Sequence, residues 1–485
     1  MLTTINFRSR PLLLTGVLAA LLTITSCDDL TRIEPVLDPN NAIIENVLTN
    51  ASQAQINALA VGVEASLRLG HANNSSYNRV LGTLGREVTV QAITEARWYG
   101  ELQGRRGTTQ NQVNVLDDAA FYNGQYTDFA RVGRAARVFR ASAANTAVLN
   151  AEQKKGVDGF TRTYEALSKL HLLGLQGENG IRVALDGVTV DELLKPGKFV
   201  GQAEALTDIR QLLDQANTDL AAAGATFGFP LSDGFADFNT PTTFSRFNRA
   251  LAARVALYQS DFAGALTALN ASFYNRAGDL TVGPKMIFNP TAANDIGNPY
   301  FQAPDFATPA SLVSVPDNFV EEAEPGDLRL SKVFRRTTPL VVGVITGNYE
   351  ARVFPTQISP LDIIRNEELI LIAAEARVGT GDLAGALLDI NAIRTRAGGL
   401  PELTAGLLAD NTAYIDEILA QRRYSLFYEG HRLVDLRRLN RLRPTVSPAR
   451  GTRPAQTLPN STTPYKLFPN LERPAAEKAW DIANP

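Results

Sequence analysis

At 485 residues, with 45% hydrophobic and 20% charged content, the chain is long enough to bury a large core, and length alone allows about three domains. A formal charge of −3 offers no basic stripe for nucleic acid. The histidines His71, His171 and His431 are too scattered in sequence to suggest a metal site, and the single cysteine rules out a disulfide framework.

The chain opens with Arg8 and Arg10 ahead of an apolar run from Leu12 to Ile24, which has the length of a signal-peptide core and is too short to span a membrane. Thr25, Ser26 and Cys27 follow. A small residue before a cysteine at the end of such a core resembles a bacterial lipobox, so residues 1–26 are expected to be removed and Cys27 to carry the lipid anchor. The alternative is an ordinary signal peptide with an incidental cysteine. Residues 27–50, with Pro35 and Pro39 and little helical pattern, read as a lipidated tether, and residues 51–485 as a single body.

Helical periodicity begins near Ser52. Ile56, Leu59, Val63 and Leu67 form the first stripe, and Tyr77, Leu81, Leu84 and Val88 suggest a return helix. The segment from Thr94 to Gly107 breaks the pattern and sets Trp98 and Tyr99 among charged residues. Helices are then predicted over 117–141, 157–175 and 205–223. The Gly-rich turn from Gly174 to Gly180 has neither a leading strand nor a Walker lysine, so it carries no phosphate-binding fingerprint. An internal repeat aligns Arg254 to Leu266 with Glu375 to Leu387. Each copy reads as a buried helix, a tight turn, an aspartate cap at Asp261 or Asp382, and an Ala-rich second helix. The expected fold is therefore mainly α, an irregular tetratricopeptide-like scaffold of helix pairs with a loop-rich lobe. That lobe, about 273–359, is rich in proline, glycine and aromatics, with short strand-like runs at Leu312–Val315 and Leu340–Ile345.

Between Leu361 and Leu442 the helical pattern is densest. Ile364, Glu368, Leu371 and Glu375 share one face of a helix that is apolar on its other faces, as a buried helix is. A later helix sets Arg422 in the stripe of Ile415, Ile418, Leu419 and Leu426, and another places Arg432, Asp435, Leu436 and Leu439 together. Charges in apolar stripes must pair, so Arg422 and Arg432 are expected to meet Glu368, Glu375, Glu429 or Asp435 in a structural ion network. An acid and base pair of Glu429 and Asp435 would need a nucleophile or metal nearby, and the sequence supplies neither.

Three runs in this region resemble the C-terminal signatures of the SusD/RagB family: Arg365-Asn-Glu-Glu-Leu-Ile-Leu-Ile-Ala-Ala-Glu375-Ala, Asn391-Ala-Ile-Arg394-Thr-Arg396-Ala-Gly-Gly399, and Gln421-Arg422-Arg-Tyr-Ser-Leu-Phe-Tyr-Glu429-Gly-His-Arg432-Leu-Val-Asp435-Leu-Arg-Arg438. The ending is similar in outline, with Phe468-Pro469-Asn-Leu-Glu472 and Asn484-Pro485, but lacks the family's usual final glycine and aromatic. Asp28 and Asp29 after the cysteine resemble the acidic export signals of surface lipoproteins. The resemblance implies a surface-exposed outer-membrane lipoprotein that binds a nutrient, an oligosaccharide or peptide, and delivers it to a TonB-dependent SusC-like transporter. It implies neither catalysis nor a cofactor. A cell-surface hydrolase of glycans or peptides is the alternative from another class, and the sequence shows no Ser-His-Asp set, zinc spacing or nucleophile elbow for it. A protein-binding helical-repeat adaptor is a third, which would need no aromatic-lined cleft. Partly exposed rings beside polar groups suit a solute site, so Trp98 and Tyr99 are expected to converge with Tyr300 and Phe301, flanked by Asn298 and Gln302, to form the ligand-binding face.

Overall fold

The computed structural model describes residues 44–484 apart from 73–75, 93, 96, 103–115, 117, 119–122, 186–191, 193–196, 294, 307–310, 343–344 and 443–467. The expected signal peptide and Cys27 lie outside the described residues. The end of the expected tether does not behave as one. Ile44–Asn50 form a first helix, α1, which packs on α4 (Asn123–Asn145), and Asn145 donates to the Leu48 carbonyl at 2.8 Å.

The chain is mainly α, with a few short strands. Helix α2 (Gln53–Ala72) buries the predicted stripe of Ile56, Val63 and Leu67. The return helix α3 (Tyr77–Leu84) stops before Val88, because the chain turns through Arg86 in the left-handed region into strand β1 (Thr89–Ala92). Helix α5 (Ala151–Gln176) starts at a capping box in which Asn150 and Gln153 satisfy each other's backbone, and packs between α4 and α6 (Gln202–Ala221). A two-stranded ribbon, β2 (Ile181–Arg182) with β3 (Phe199–Val200), joins α5 to α6. Thr240 caps α7 (Pro241–Tyr258), whose first position is the proline that suits a helix start.

The internal repeat is visible in both copies. Helix α7 turns into α8 (Phe262–Asn270) and α10 (Asn366–Thr380) turns into α11 (Leu383–Arg396). At the second helix of each pair Asp261 accepts from the Gly264 amide and Asp382 from the Gly385 amide. The tight turn needs a left-handed residue, and Ser260 fills in one copy the place that Gly381 fills in the other. The two pairs meet where Gly379 lies against the Phe262 ring, and a Cβ at Gly379 would overlap it.

Helix α10 is apolar nearly all round because it faces three apolar clusters at once. Leu369, Ile372 and Ala376 join the main core, Ala374 and Val378 meet Ile390 and Ile418, and Ile370 and Leu371 meet Ile393 and Leu426. Ile393 lies on α11 and Leu426 caps the end of α12 (Asn411–Ser425), after which come the short α13 (Arg432–Arg438) and α14 (Ala475–Ala483).

The lobe holds more sheet than its sequence suggested. Strand β4 (Lys285–Met286) pairs with β8 (Leu361–Asp362), while β5 (Ser311–Val315), β6 (Val333–Val342) and β7 (Ile345–Ala351) join β1 in an antiparallel sheet of order β1-β5-β7-β6. The apolar run from Leu340 to Ile345 spans the end of β6 and the start of β7. Thr89 sits opposite Ser314, so the sheet ties the lobe to the N-terminal helices. Asp317–Glu321 form α9, a single turn and a half at the lobe's edge.

Candidate functional site

The sequence reading asked for exposed rings at Trp98 and Tyr300, and both side chains are 4% exposed. Trp98 lies in a π-helical turn, Trp98–Leu102, that packs against β1 and α3, and the backbone of Tyr99 lies in the same turn. Tyr300 reaches the core from the lobe. Its hydroxyl lies 3.0 Å from His71 Nδ1 and accepts from the Asn78 amide of α3, and its ring stacks on Phe354 and meets Tyr428 edge-on. Both segments do approach α3, but from the inside, so these two rings form packing and not a binding face.

The polar neighbours chosen from the sequence are engaged too. Asn298 accepts from the Tyr300 amide and donates to the Ser359 carbonyl, and Gln302 bridges Val313 of β5 and Ala351 of β7. They pin the segment from Asn298 to Gln302 to the sheet. Phe301 is half-buried.

Among the described residues the exposed aromatic ring of the lobe is Phe306, 57% exposed. It sits at the end of an arm held from below. A buried ion pair between Arg336 and Glu350 anchors it, Arg336 donates to the Phe306 carbonyl at 3.1 Å, Glu350 accepts from the Asp305 amide, and Asp305 accepts from the Thr337 amide. A backbone held in this way presents the ring at a fixed place, so less ordering is left to be done when it stacks against a flat ligand. Phe306 was one of several lobe aromatics in the sequence, and no local signal distinguished it from the buried ones.

The predicted ion network is found with partners that the sequence only partly indicated. Arg422 pairs with Asp435 at 2.6 Å, both nearly fully buried. Glu368 receives a two-pronged pair, at 2.6 and 2.7 Å, from Arg254 of α7, the helix that corresponds to α10 in the repeat. Glu375 pairs with Arg438, which also reaches Asp435 at 2.9 Å, and Glu429 pairs with Arg365. Arg432 is buried, with Glu87, Asp435 and Glu322 among the charges around it. Burial, with Arg423 nearby, pulls its guanidinium down to about 10, and burial pushes the neighbouring Glu87 carboxyl up to about 8. Arg254, Arg365 and Arg438 stood in quoted motifs, but their partners lie far away in sequence. Glu429 and Asp435 each hold their own arginine, so they form a structural lattice and not an acid and base pair.

That lattice yields a stability test. Arg422→Ala still leaves Asp435 its contact with Arg438, so the expected loss is about 3 kcal/mol, the low end for breaking a buried pair. Chemical denaturation of variant and parent measures it, and a change under about 1 kcal/mol would place Arg422 among rim charges.

The three histidines, far apart in sequence, line one cavity with Arg254, Glu368 and Arg437. His71 and His171 contact edge-on, with ring centroids 5.6 Å apart, and His431 Nε2 lies 3.7 Å from Glu368. The cavity has ≈ 70 Å³ of room for water centres, enough for a few ordered waters and far too little for an oligosaccharide. Among the described residues no group of three or more histidine, cysteine or acidic side chains has metal-holding geometry.

Comparison with known proteins bears on this arrangement. The model of the SusD family matches residues 355–478, the stretch that carries α10 to α13 and most of the ion lattice, with Arg254 of α7 outside it. Among solved structures, a laminarin-binding SusD-like protein superposes with a TM-score of 0.63 at 18% identity, over 89% of this chain and 98% of that one. The chain is SusD-like in fold and, over that stretch, in sequence. A SusD-like protein from Bacteroides fragilis NCTC 9343 matches at a TM-score of 0.59 and 14% identity, over 83% of this chain and 88% of that one. Surface glycan-binding protein A from Bacteroides uniformis matches at 0.59 and 14%, over 80% and 88%. No curated protein matches the chain in sequence. In this SusD-like chain the matched stretch contains the α10–α11 pair and the lattice carboxylates Glu368, Glu375, Glu429 and Asp435, whereas Arg254 and the Phe306 arm lie outside it.

Proposed function

We propose that this chain is a surface-exposed outer-membrane lipoprotein that binds an oligosaccharide and delivers it to a TonB-dependent SusC-like β-barrel. The observation that carries this reading is the likeness of fold over nearly the whole length to a laminarin-binding SusD-like protein, joined to the SusD-family match at 355–478. A glycan is favoured over a peptide because the solved relatives with a stated ligand bind glycans. Phe306, on its anchored arm, is the ring to which the ligand stacks, with the lobe around it supplying orientation. The scaffold of helix pairs is the part that docks the transporter, and the protein acts by capture and hand-over without catalysis. In the lipobox reading Cys27 holds the protein on the membrane through two or more acyl chains, since each buried methylene contributes about 0.8 kcal/mol and one chain alone is marginal.

The anchoring half is tested in the parent bacterium. Cys27→Ala is expected to release a soluble protein or leave an uncleaved precursor. A mature-sized variant that still fractionates with the outer membrane would contradict the lipid anchor. The delivery half is tested by affinity isolation of the tagged parent from solubilised outer membrane, where a TonB-dependent β-barrel is expected to co-purify. Its consistent absence would contradict hand-over.

A further inference from the structure

A second cavity lies apart from the histidine-lined one, between the middle of α2, the turn at 230–235 and β4. Its volume of ≈ 160 Å³ is close to that of the engineered cavity of about 150 Å³ that stays dry and takes up benzene, so it has room for one six-membered ring. Its walls include Leu67, Pro230, Leu231, Phe235, Met286 and Ile363, all apolar. Val61 and Ile287, which also line it, are exposed and mark its mouth.

Four charged or phenolic side chains border this space, and two of them are engaged elsewhere. Arg68 pairs with Asp295 and lies over the Phe288 ring, while Lys285 donates to the Thr281 carbonyl and faces Asp362. The other two are Tyr164 and Glu64. Tyr164 is fully buried, and its hydroxyl has no hydrogen-bond partner among the described residues, an arrangement that costs about 1–3 kcal/mol and is rare without a reason. Glu64 accepts from the amide and hydroxyl of Ser232, which leaves two of its four lone-pair positions open. Both groups line the cavity; burial raises the Glu64 carboxyl and the Tyr164 phenol alike, the Glu64 charge adding to the latter.

We propose that this cavity binds one compact ring carrying a single hydroxyl, a phenol or its saturated counterpart, with that hydroxyl donating to Glu64 and accepting from Tyr164. One hydroxyl can do both, and the remainder of the ring meets only carbon. A free sugar does not fit this chemistry. Its other hydroxyls would face Leu67, Phe235 and Met286 unpaired, each at about 1–3 kcal/mol. An aromatic carboxylate is disfavoured by the Glu64 charge. The site is independent of the glycan reading: its walls come from α2, Tyr164 of α5, the turn at 230–235, β4 and Ile363, and none from the Phe306 arm.

The test uses the soluble protein lacking residues 1–27, with ¹⁹F resonance to follow 4-fluorophenol and fluorobenzene. The parent should bind 4-fluorophenol saturably in the millimolar range or tighter, and fluorobenzene more weakly. Tyr164→Phe should weaken 4-fluorophenol by roughly fivefold, the equivalent of one hydrogen bond, and leave fluorobenzene unchanged. Ala65, on the exposed side of α2 and lining the cavity, offers a control that spares the core: Ala65→Phe should abolish binding of both probes with an unchanged melting temperature. The proposal is overturned if the parent shows no saturable binding, if Ala65→Phe binds like the parent, or if Tyr164→Phe affects both probes equally.

Discussion

Arg254→Ala is expected to lower the stability of the folded chain by about 3–5 kcal/mol, the largest effect of any single truncation in the ion lattice. The argument rests on what is left behind. Glu368 is nearly fully buried, and Arg254 alone supplies its two-pronged pair. That pair holds its carboxyl down to about 2 against a burial that acts the other way. Without Arg254 the basic group left beside Glu368 is His431 at 3.7 Å, which is itself kept neutral. Asp435, by comparison, keeps Arg438 when Arg422 is removed, which is why that variant is the milder one. Because the pair also joins the two copies of the repeat, α7 to α10, its loss should loosen the contact between helix pairs. Replacing both partners, Arg254→Met with Glu368→Leu, should recover most of the stability, since removal of a whole buried pair is often close to neutral. Denaturant titration of the single and double variants decides: a single variant within about 1 kcal/mol of the parent, or a double variant as weak as the single, would contradict the lattice as described.

Acid should destabilise the protein well above the pH at which its paired carboxylates titrate. Burial pulls His71 well below the usual imidazole range and brings His171 and His431 down to about 4. Between about 6.5 and 4 the unfolded chain therefore binds a proton at each of these positions and the folded chain does not. With more protons on the unfolded side, stability falls as pH drops through that window, by up to about 3 kcal/mol for His171 and the same for His431. Glu87 acts with the opposite sign. Its carboxyl is raised to about 8, so the folded state holds the extra proton from about 4.5 to 8, and that contribution is lost as pH rises. Glu368 and Asp435, held down to about 2, begin to matter only below about 4. The histidine share is isolated by difference. His431→Asn should reduce the loss of stability between pH 6.5 and 4 by up to about 3 kcal/mol relative to the parent. Equal pH profiles in the two proteins would contradict a neutral buried His431.

How far the sequence could be read depended on whether a feature was local. The aspartate caps at Asp261 and Asp382, the stripe of α2, and the all-round apolar face of α10 follow from neighbours within a few turns, and each is seen in the structure. Partners across the chain were not legible. Glu368 meets an arginine 114 positions away, and the three histidines come together only once α2, α5 and α13 have packed. The return helix was expected to include Val88, but the pairing of β1 with β5, more than two hundred residues on, takes the chain into a sheet instead. Trp98 and Tyr300 were chosen because they break the helical pattern and sit beside polar residues. That pattern is equally that of a segment folded back into the core, with Asn298 and Gln302 satisfying backbone on the way. Most aromatics of the lobe are buried or half-buried, and nothing in their sequence neighbours marks Phe306 as the ring that stays outside, above the Arg336–Glu350 anchor.

Direct titration of the soluble protein against a panel of oligosaccharides, laminarin-derived chains among them, tests the central claim of glycan capture. The account predicts saturable binding to at least one glycan series, with no shortening of the chains, and a loss of more than tenfold, about 1.4 kcal/mol, in Phe306→Ala with its fold intact. No binding to any glycan alongside saturable binding to peptides, or cleavage of the bound chains, would contradict it.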